Sequence, residues 1–244
     1  MIHYYKSKIL SNKKIASDVY VMEVKRNEEE VIPGQFYMLK SWQEELTLMR
    51  PISLYKMEAD TLFFMYRVIG KGTACFSKLK KGDSIDLLGP LGNGFPCDKV
   101  SGKIALVGGG VGIPPLFETA KRLTKLGNQV DVFIGYKEEV FICEEFEDVC
   151  DNIFVSTECG QEGYRGYITD LLHPEQYDAV FTCGPEVMMM KVMEMCKSHH
   201  VPAWCSMEKR MGCGIGACLV CSCETKNGMK RACKDGPVFS MDEL

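Results

Sequence analysis

Histidine is scarce in this chain: His3, His173, His199 and His200 are the only four in 244 residues, and none falls in a motif. They read as surface or helix-end side chains. A basic excess is also missing. Lysine and arginine number 29 against 33 aspartates and glutamates, for a formal net charge of -4, which leaves no positive face to track a phosphate backbone and argues against nucleic acid as a partner. The longest apolar run, Ile104 to Phe117, is cut by four glycines and two prolines and falls short of the roughly 20 residues a membrane helix needs. The opening Met1-Ile2-His3-Tyr4-Tyr5-Lys6-Ser7-Lys8 lacks the apolar core and cleavage site of a secretory signal, so the expected location is cytoplasmic. What is abundant is cysteine. Thirteen in a reducing compartment call for an explanation other than disulfides, and five of them lie between Cys213 and Cys233.

With 46% hydrophobic and 25% charged residues, the chain has apolar material for two compact domains. Residues 1–100 read as short strands separated by turns. Val19 to Val24 alternates, Thr61 to Val68 is rich in aromatic and β-branched types, and Pro33-Gly34, Lys81-Gly82-Asp83 and Gly89 to Gly94 are turn signals. Such spacing predicts a β-barrel. Residues 101–206 change to alternating strand and helix: strands at Ile104–Val107, Val130–Ile134, Ile153–Val155 and Asp178–Phe181, a helix running through Lys125, and a Met-rich helix from Pro185 to about Lys197. That order predicts a parallel sheet with helices on both faces. Residues 207–244 form a Cys- and Gly-rich closing lobe.

The most specific motif is Cys213-Gly-Ile-Gly-Ala-Cys218-Leu-Val-Cys221 with a later Cys233. C-x4-C-x2-C followed by a fourth cysteine is the plant-type spacing for a [2Fe-2S] cluster. Gly212, Gly214, Gly216 and Ala217 let backbone amides approach the sulfurs. A four-cysteine zinc knuckle is the alternative, although it usually recurs as two short clips. Cys223 is a fifth thiol that spacing alone leaves in competition with Cys221. The second motif, Gly108-Gly109-Gly110-Val111-Gly112-Ile113-Pro114-Pro115, lies between a strand and a helix. Read from Gly110 it is G-x-G-x-x-P, so proline replaces the third glycine of the dinucleotide fingerprint. The helix start still faces the carboxyl edge of the sheet, where backbone N–H groups can meet a pyrophosphate; the plain alternative is a tight turn without a ligand. The third pairs Arg50-Pro51-Ile52-Ser53 with Arg67-Val68-Ile69-Gly70-Lys71-Gly72-Thr73, a combination suited to a phosphate-bearing cofactor on a barrel face.

These motifs in this order, with Thr182-Cys183-Gly184-Pro185 after the late strand and Ser206-Met207-Glu208 before the cysteines, resemble the ferredoxin-reductase superfamily. Within it the chain looks most like the electron-transfer subunits of NAD-dependent, type B dihydroorotate dehydrogenases. The resemblance spans essentially the whole chain and is most specific from Met207 to Cys218; it departs from the family pattern at Thr157–Gly163. It implies an FAD-binding barrel over 1–100, an NAD-binding α/β domain over 101–206 and a [2Fe-2S] lobe over 207–244. It further implies that Arg50, Pro51, Ile52, Ser53, Arg67, Val68, Ile69, Gly72 and Thr73 bind flavin, and that Cys213, Cys218, Cys221 and Cys233 hold the cluster. NAD(H) would then dock its pyrophosphate at Gly110 to Gly112 and its nicotinamide near Cys183 and Gly184, with no side-chain acid or base needed.

The implied partner is an FMN-containing dihydroorotate dehydrogenase catalytic subunit, in a heterotetramer of two of each, serving pyrimidine (UMP) biosynthesis. Tyr136-Lys137-Glu138-Glu139 places two carboxylates where a 2'-phosphate would be repelled, favouring NAD over NADP. Two rival readings stand: a reductase subunit of a hydrogenase, sulfide dehydrogenase or bifurcating complex, and a zinc-stabilised binding module. The remaining cysteines, including Cys75, Cys97, Cys143, Cys150, Cys196 and Cys205, are expected as small buried apolar side chains, and the run Met188-Met189-Met190 with Met193 and Met195 as helix packing.

Overall fold

The structure, a computed structural model, describes residues 2–27, 30–41 and 47–244. Strands β1 (His3–Lys14), β2 (Val19–Lys25), β3 (Phe36–Lys40), β4 (Arg50–Met57), β5 (Thr61–Arg67) and β6 (Ser84–Leu91) close into an antiparallel barrel in the order β1-β2-β5-β4-β3-β6. Period-2 alternation explains its filling. Leu62, Phe64 and Tyr66 of β5 meet Tyr37, Leu39, Leu54 and Leu87 inside. A short helix, α1 (Lys71–Phe76), follows β5, and its Phe76 packs edge-on against Tyr66 at 5.8 Å. The helix forms because the Thr73 hydroxyl accepts from the amides of Ile69 (3.0 Å) and Gly70 (3.3 Å), satisfying donors at its start.

The second layer is a seven-stranded sheet. It contains β7 (Lys103–Gly109), β8 (Gln129–Tyr136), β9 (Asn152–Thr157), β10 (Tyr164–Arg165), β11 (Ala179–Cys183) and β12 (Ala203–Ser206), all in parallel pairs, in the order β10-β9-β8-β7-β11-β12. Helices cover both faces, as the alternating pattern requires. Ile104, Leu106, Val130, Val132 and Phe181 point to α2 (Pro114–Lys125), whose Leu116, Phe117, Ala120 and Leu123 cover them. Ala105, Val107, Phe133 and Val180 point to α3 (Glu186–Ser198), through Met189, Val192, Met193 and Cys196.

The C-terminal segment carries a hairpin, β13 (Ser222–Thr225) with β14 (Gly228–Arg231), and then β15 (Val238–Ser240). β15 adds antiparallel to β12 at the edge of the large sheet, so the cysteine-rich segment ends inside the α/β layer. The segment is also stitched to the barrel: the Asn93 side chain donates to Asp235 O (3.1 Å) and Val238 O (3.0 Å) and accepts from Val238 N (3.0 Å). Barrel and sheet share one apolar seam, with Phe95 stacked on Phe181 at 5.0 Å and Tyr55 against Phe117 at 5.3 Å. Among the described residues no helix is long and apolar enough to cross a membrane.

Candidate functional site

The thiols of the C-terminal segment are arranged by a tight loop. Gly214 and Gly216 adopt φ of 75° and 82°, a region that favours glycine, and a Cβ on Gly214 would lie 2.6 Å from Met38 Cγ of the barrel. The loop therefore presses its backbone against β3 and aims amides at sulfur. Ala217 N and Cys218 N donate to Cys213 Sγ (3.3 and 3.4 Å), Cys213 N to Cys218 Sγ (3.4 Å), Gly216 N to Cys233 Sγ (3.1 Å) and Cys233 N to Cys221 Sγ (3.4 Å). Arg231 braces the loop, with Nη1 donating to Gly216 O (3.1 Å) while Nε holds the Asp235 carboxylate (3.0 Å).

Burial works against ionising Cys213, but the amides of Ile215, Cys218 and Ala217 and the Cys218 thiol outweigh it and bring Cys213 down to about 6. Burial, and next the neighbouring Cys221 thiol, push Cys233 up to about 12. The contacts sort the four into two pairs, Cys213 with Cys218 and Cys221 with Cys233. Among the described residues no three His, Cys, Asp or Glu side chains converge on a single ion position. Two thiolates for each of two irons is the ligand pattern of a [2Fe-2S] centre, and sulfurs ringed by amide donors are what such a charged group needs. Cys223 packs elsewhere, in the core around Phe239 and Cys205, with its thiol on Lys230 O at 3.5 Å.

One strand separates these thiols from the Arg50–Ser53 motif. Cys221 and Cys233 pack on Phe36 and Met38 of β3, and in the barrel ladder Phe36 lies opposite Ser53 and Met38 opposite Pro51. Opposed residues share a face, so Pro51 and Ser53 lie on the barrel face that receives the thiol loop, while Ile52, opposite Tyr37, packs toward the interior. Arg50 Nη1 donates to Leu48 O (2.7 Å), and its guanidinium lies where a Cβ on Gly72 would come within 2.3 Å of Nε. Arg50 and Gly72 thus meet across the barrel end. Val68 packs on the barrel core, Ile69 is exposed, and the Thr73 hydroxyl is committed to the start of α1.

Two cavities open between barrel and sheet. The larger, about 830 Å³, is lined by Asp18 and Arg67 from the barrel and by Gly110, Glu138, Glu139 and Tyr167 among others from the sheet side. The smaller, about 330 Å³, is lined by Arg67, Gly110, Gly112, Gly184, Glu186 and Glu208, with further glycine, valine, proline and methionine neighbours. Gly184 has φ of 149°, and a Cβ on Gly112 would lie 2.4 Å from its Cα.

Four sequence expectations change here. Cys183 is buried in the core at 1% exposure and lines neither cavity; only Gly184 of that pair does. The first turn of α2 has few amides for an anion: Pro114 and Pro115 have none, Ile113 N is bonded to Gly110 O (3.3 Å) and Leu116 N to Ile113 O (2.9 Å). Cys75, Cys143 and Cys150 are half-buried, whereas Cys97, Cys196 and Cys205 are buried as expected. Met190 is exposed, unlike buried Met189 and Met193, while Met188 packs on the α3 core and also lines the larger cavity; no signal within the methionine run separates them. The sequence also passed over Glu158 and Tyr167 as cavity residues, and only their places after a strand and in a loop hinted at them. All four histidines are exposed.

A closed barrel, a parallel sheet with a glycine-lined cleft and an appended thiol loop define an oxidoreductase subunit of the ferredoxin-reductase class. A family model described as the iron-sulfur cluster binding domain of dihydroorotate dehydrogenase B matches residues 208–244. The chain is 48% identical over 241 residues to the dihydroorotate dehydrogenase B (NAD(+)) electron transfer subunit of Clostridium acetobutylicum, covering 99% of this chain and 97% of that protein. The corresponding subunit of Clostridium perfringens is 42% identical, with coverage of 98% and 97%. Among solved structures, an NADH-dependent reduced ferredoxin-NADP oxidoreductase studied for flavin-based electron bifurcation superposes with a TM-score of 0.86 at 30% identity, covering 97% of this chain and 88% of that one. A ferredoxin NADP+ reductase from Neisseria gonorrhoeae, with bound FAD and NADP, shares the fold at a TM-score of 0.63 and 21% identity, covering 80% of this chain and 91% of that one. The chain belongs to the family of dihydroorotate dehydrogenase B (NAD(+)) electron transfer subunits.

Proposed function

We propose that this chain passes electrons between a catalytic dihydroorotate dehydrogenase subunit and NAD, by way of a [2Fe-2S] cluster and FAD, in pyrimidine biosynthesis. The observation that carries this reading is the single strand, β3, between the Arg50–Ser53 strand and the thiol pairs. Neighbouring strands lie about 4.8 Å apart, so a flavin seated on β4 and a cluster held by the thiol loop would be neighbours. When bound, flavin exchanges electrons in pairs or singly, the cluster carries them singly, and NAD(H) carries hydride.

The protein's part is binding and positioning. Cys213, Cys218, Cys221 and Cys233 hold the cluster, and the amides of residues 213, 216–218 and 233 stabilise charge on their sulfurs. Arg50, Pro51, Ile52, Ser53, Arg67, Val68, Ile69, Gly72 and Thr73 form the flavin seat, with Arg50 as its cation. Gly110, Gly112 and Gly184 line the cleft offered to the dinucleotide, and the space beside Gly110 is open. Glu138, Glu139 and Glu158 line the larger cavity and disfavour a 2'-phosphate, which supports NAD over NADP. The three segments 1–100, 101–206 and 207–244 carry these three tasks, and the partner holds FMN in a heterotetramer of two of each. The likeness to the bifurcation-related oxidoreductase favours, as a second reading, a reductase subunit of a bifurcating complex.

Anaerobically purified protein should show flavin and cluster absorption that bleaches with NADH, at one FAD and two irons per chain. Dihydroorotate-dependent reduction of NAD+ should require both polypeptides. Turnover of dihydroorotate by this chain alone would refute the assignment, and a colourless protein holding zinc would favour the binding module.

A further inference from the structure

Arg231 reaches a thiol of the C-terminal loop through one peptide unit. Its Nη1 donates to Gly216 O at 3.1 Å. That carbonyl shares a planar, resonant unit with the amide of Ala217, and Ala217 N donates to Cys213 Sγ at 3.3 Å. A donor on the oxygen of a peptide draws electron density from its nitrogen, so the N–H beyond it becomes the stronger donor. The preceding peptide serves the other thiol pair, with Gly216 N at 3.1 Å from Cys233 Sγ. Gly216 thus joins both pairs, and Arg231 is seated on it.

The guanidinium is fixed in that place. Asp235 Oδ2 accepts from Arg231 Nε (3.0 Å) and from Arg231 N (2.8 Å), and Oδ1 accepts from Nη2 (3.3 Å). The two side chains are 29% and 26% exposed, so solvent and salt screen the pair only in part. Bracing the loop would need no charge, because a neutral amide also donates to a carbonyl. What arginine adds is a permanent positive charge in line with an N–H···S bond. One-electron reduction of a [2Fe-2S] cluster adds a negative charge to the iron-sulfur group, and the hydrogen bonds and charges around its sulfurs set how readily that charge is accepted.

We propose that Arg231 raises the reduction potential of the cluster, acting through the 216–217 peptide on Cys213, and that Asp235 offsets part of its charge. This rests on the [2Fe-2S] reading of the four cysteines. Arg231 holds no iron and is a positioning residue that acts through the loop. A higher potential makes the cluster the easier acceptor, so the Arg231–Asp235 pair governs how electrons divide between cluster and flavin.

The test uses the whole chain, purified anaerobically with cluster and flavin in place, titrated with dithionite in the presence of mediator dyes and followed by low-temperature paramagnetic resonance. Arg231→Gln keeps an N–H for Gly216 O and removes the charge. It should make the one-electron reduction equilibrium about threefold to tenfold less favourable, a fall of about 30 to 60 mV at about 59 mV per tenfold, with iron per chain unchanged. Asp235→Asn should move the potential the opposite way, upward. A brace without an electrostatic role would not produce opposite signs. An unchanged potential in iron-loaded Arg231→Gln, or a potential in Asp235→Asn that falls or stays put, would overturn the proposal. If Arg231→Gln loses its iron, the direction of the shift in Asp235→Asn decides the matter. Wild-type protein without iron and acid-labile sulfide would instead overturn the cluster reading beneath it.

Discussion

Gly112 and Gly184 meet backbone to backbone: a Cβ on the first would lie 2.4 Å from the Cα of the second. β7 and β11 are parallel neighbours, with Gly108 opposite Cys183, so the turns that follow them emerge side by side and only glycine leaves room. Gly112→Ala must push main chain, not a flexible side-chain end. The expected cost is about 1–3 kcal/mol, a fall in Tm of about 2–10 °C. Gly70→Ala is the control, because nothing lies within 4 Å of a Cβ there; it should stay within about 0.5 kcal/mol of wild type. Equal melting temperatures for the two variants would contradict the close contact.

Gly72 and Arg50 pose a different problem. A Cβ on Gly72 would displace the Arg50 side chain, which can move, so Gly72→Ala should fold. Its expected defect is in flavin retention, weaker by about tenfold or more through the lost charge-assisted contact. Flavin per chain after dialysis measures this, and full retention would argue that Arg50 is not the flavin's cation.

Cys221 and Cys223 are two residues apart and pack in different places, Cys221 with Cys233 against the barrel and Cys223 in the core around Phe239. Cys223→Ser should therefore retain two irons and acid-labile sulfide, whereas Cys221→Ser should lose them. Iron analysis together with low-temperature paramagnetic resonance of the reduced protein distinguishes the two, and the reverse pattern would exchange the ligand assignment.

Asp131, 1% exposed, carries a pH signature away from the cleft. Burial by itself would raise its pKa, but the Asn152 amide (2.7 Å), the Lys103 ammonium (3.0 Å) and the Tyr177 hydroxyl (2.8 Å) hold it below the usual carboxylate range. A carboxyl with a depressed native pKa stabilises the fold above its unfolded value of about 3.9 and loses that contribution as pH falls through the native value. Urea unfolding from neutral pH to about pH 3 should show this acid limb in wild type and a flatter one in Asp131→Asn. An unchanged slope would mean that other carboxylates carry it.

Much of the architecture was legible because it rests on periodicity. Leu62, Phe64 and Tyr66 alternate into the barrel and Ile104 and Leu106 into the α2 face, and glycine and proline punctuation separates the strands. The thiol loop was legible for a different reason: its ligand spacing is a local constraint of loop size and sulfur reach, contained within one stretch of chain. Cys183 misled because a cysteine beside a functional glycine looks the same whether its thiol faces a cleft or a core. Arg67 adjoins the flavin segment in sequence, and its place on the two cavities between barrel and sheet was not legible there, because it follows from the closure of the barrel.

By itself the sequence determined the element types, the two-layer order and the cysteine-rich segment from 213 to 233, since each is read from a pattern along one continuous stretch of chain. The tertiary structure alone decided that β15 returns to the α/β sheet, that Cys223 leaves the quartet, and that Arg67, Gly112 and Gly184 share one cleft. These outcomes depend on contacts between segments remote in sequence, whose geometry is set by strand pairing, barrel closure and close packing, and local pattern does not encode them.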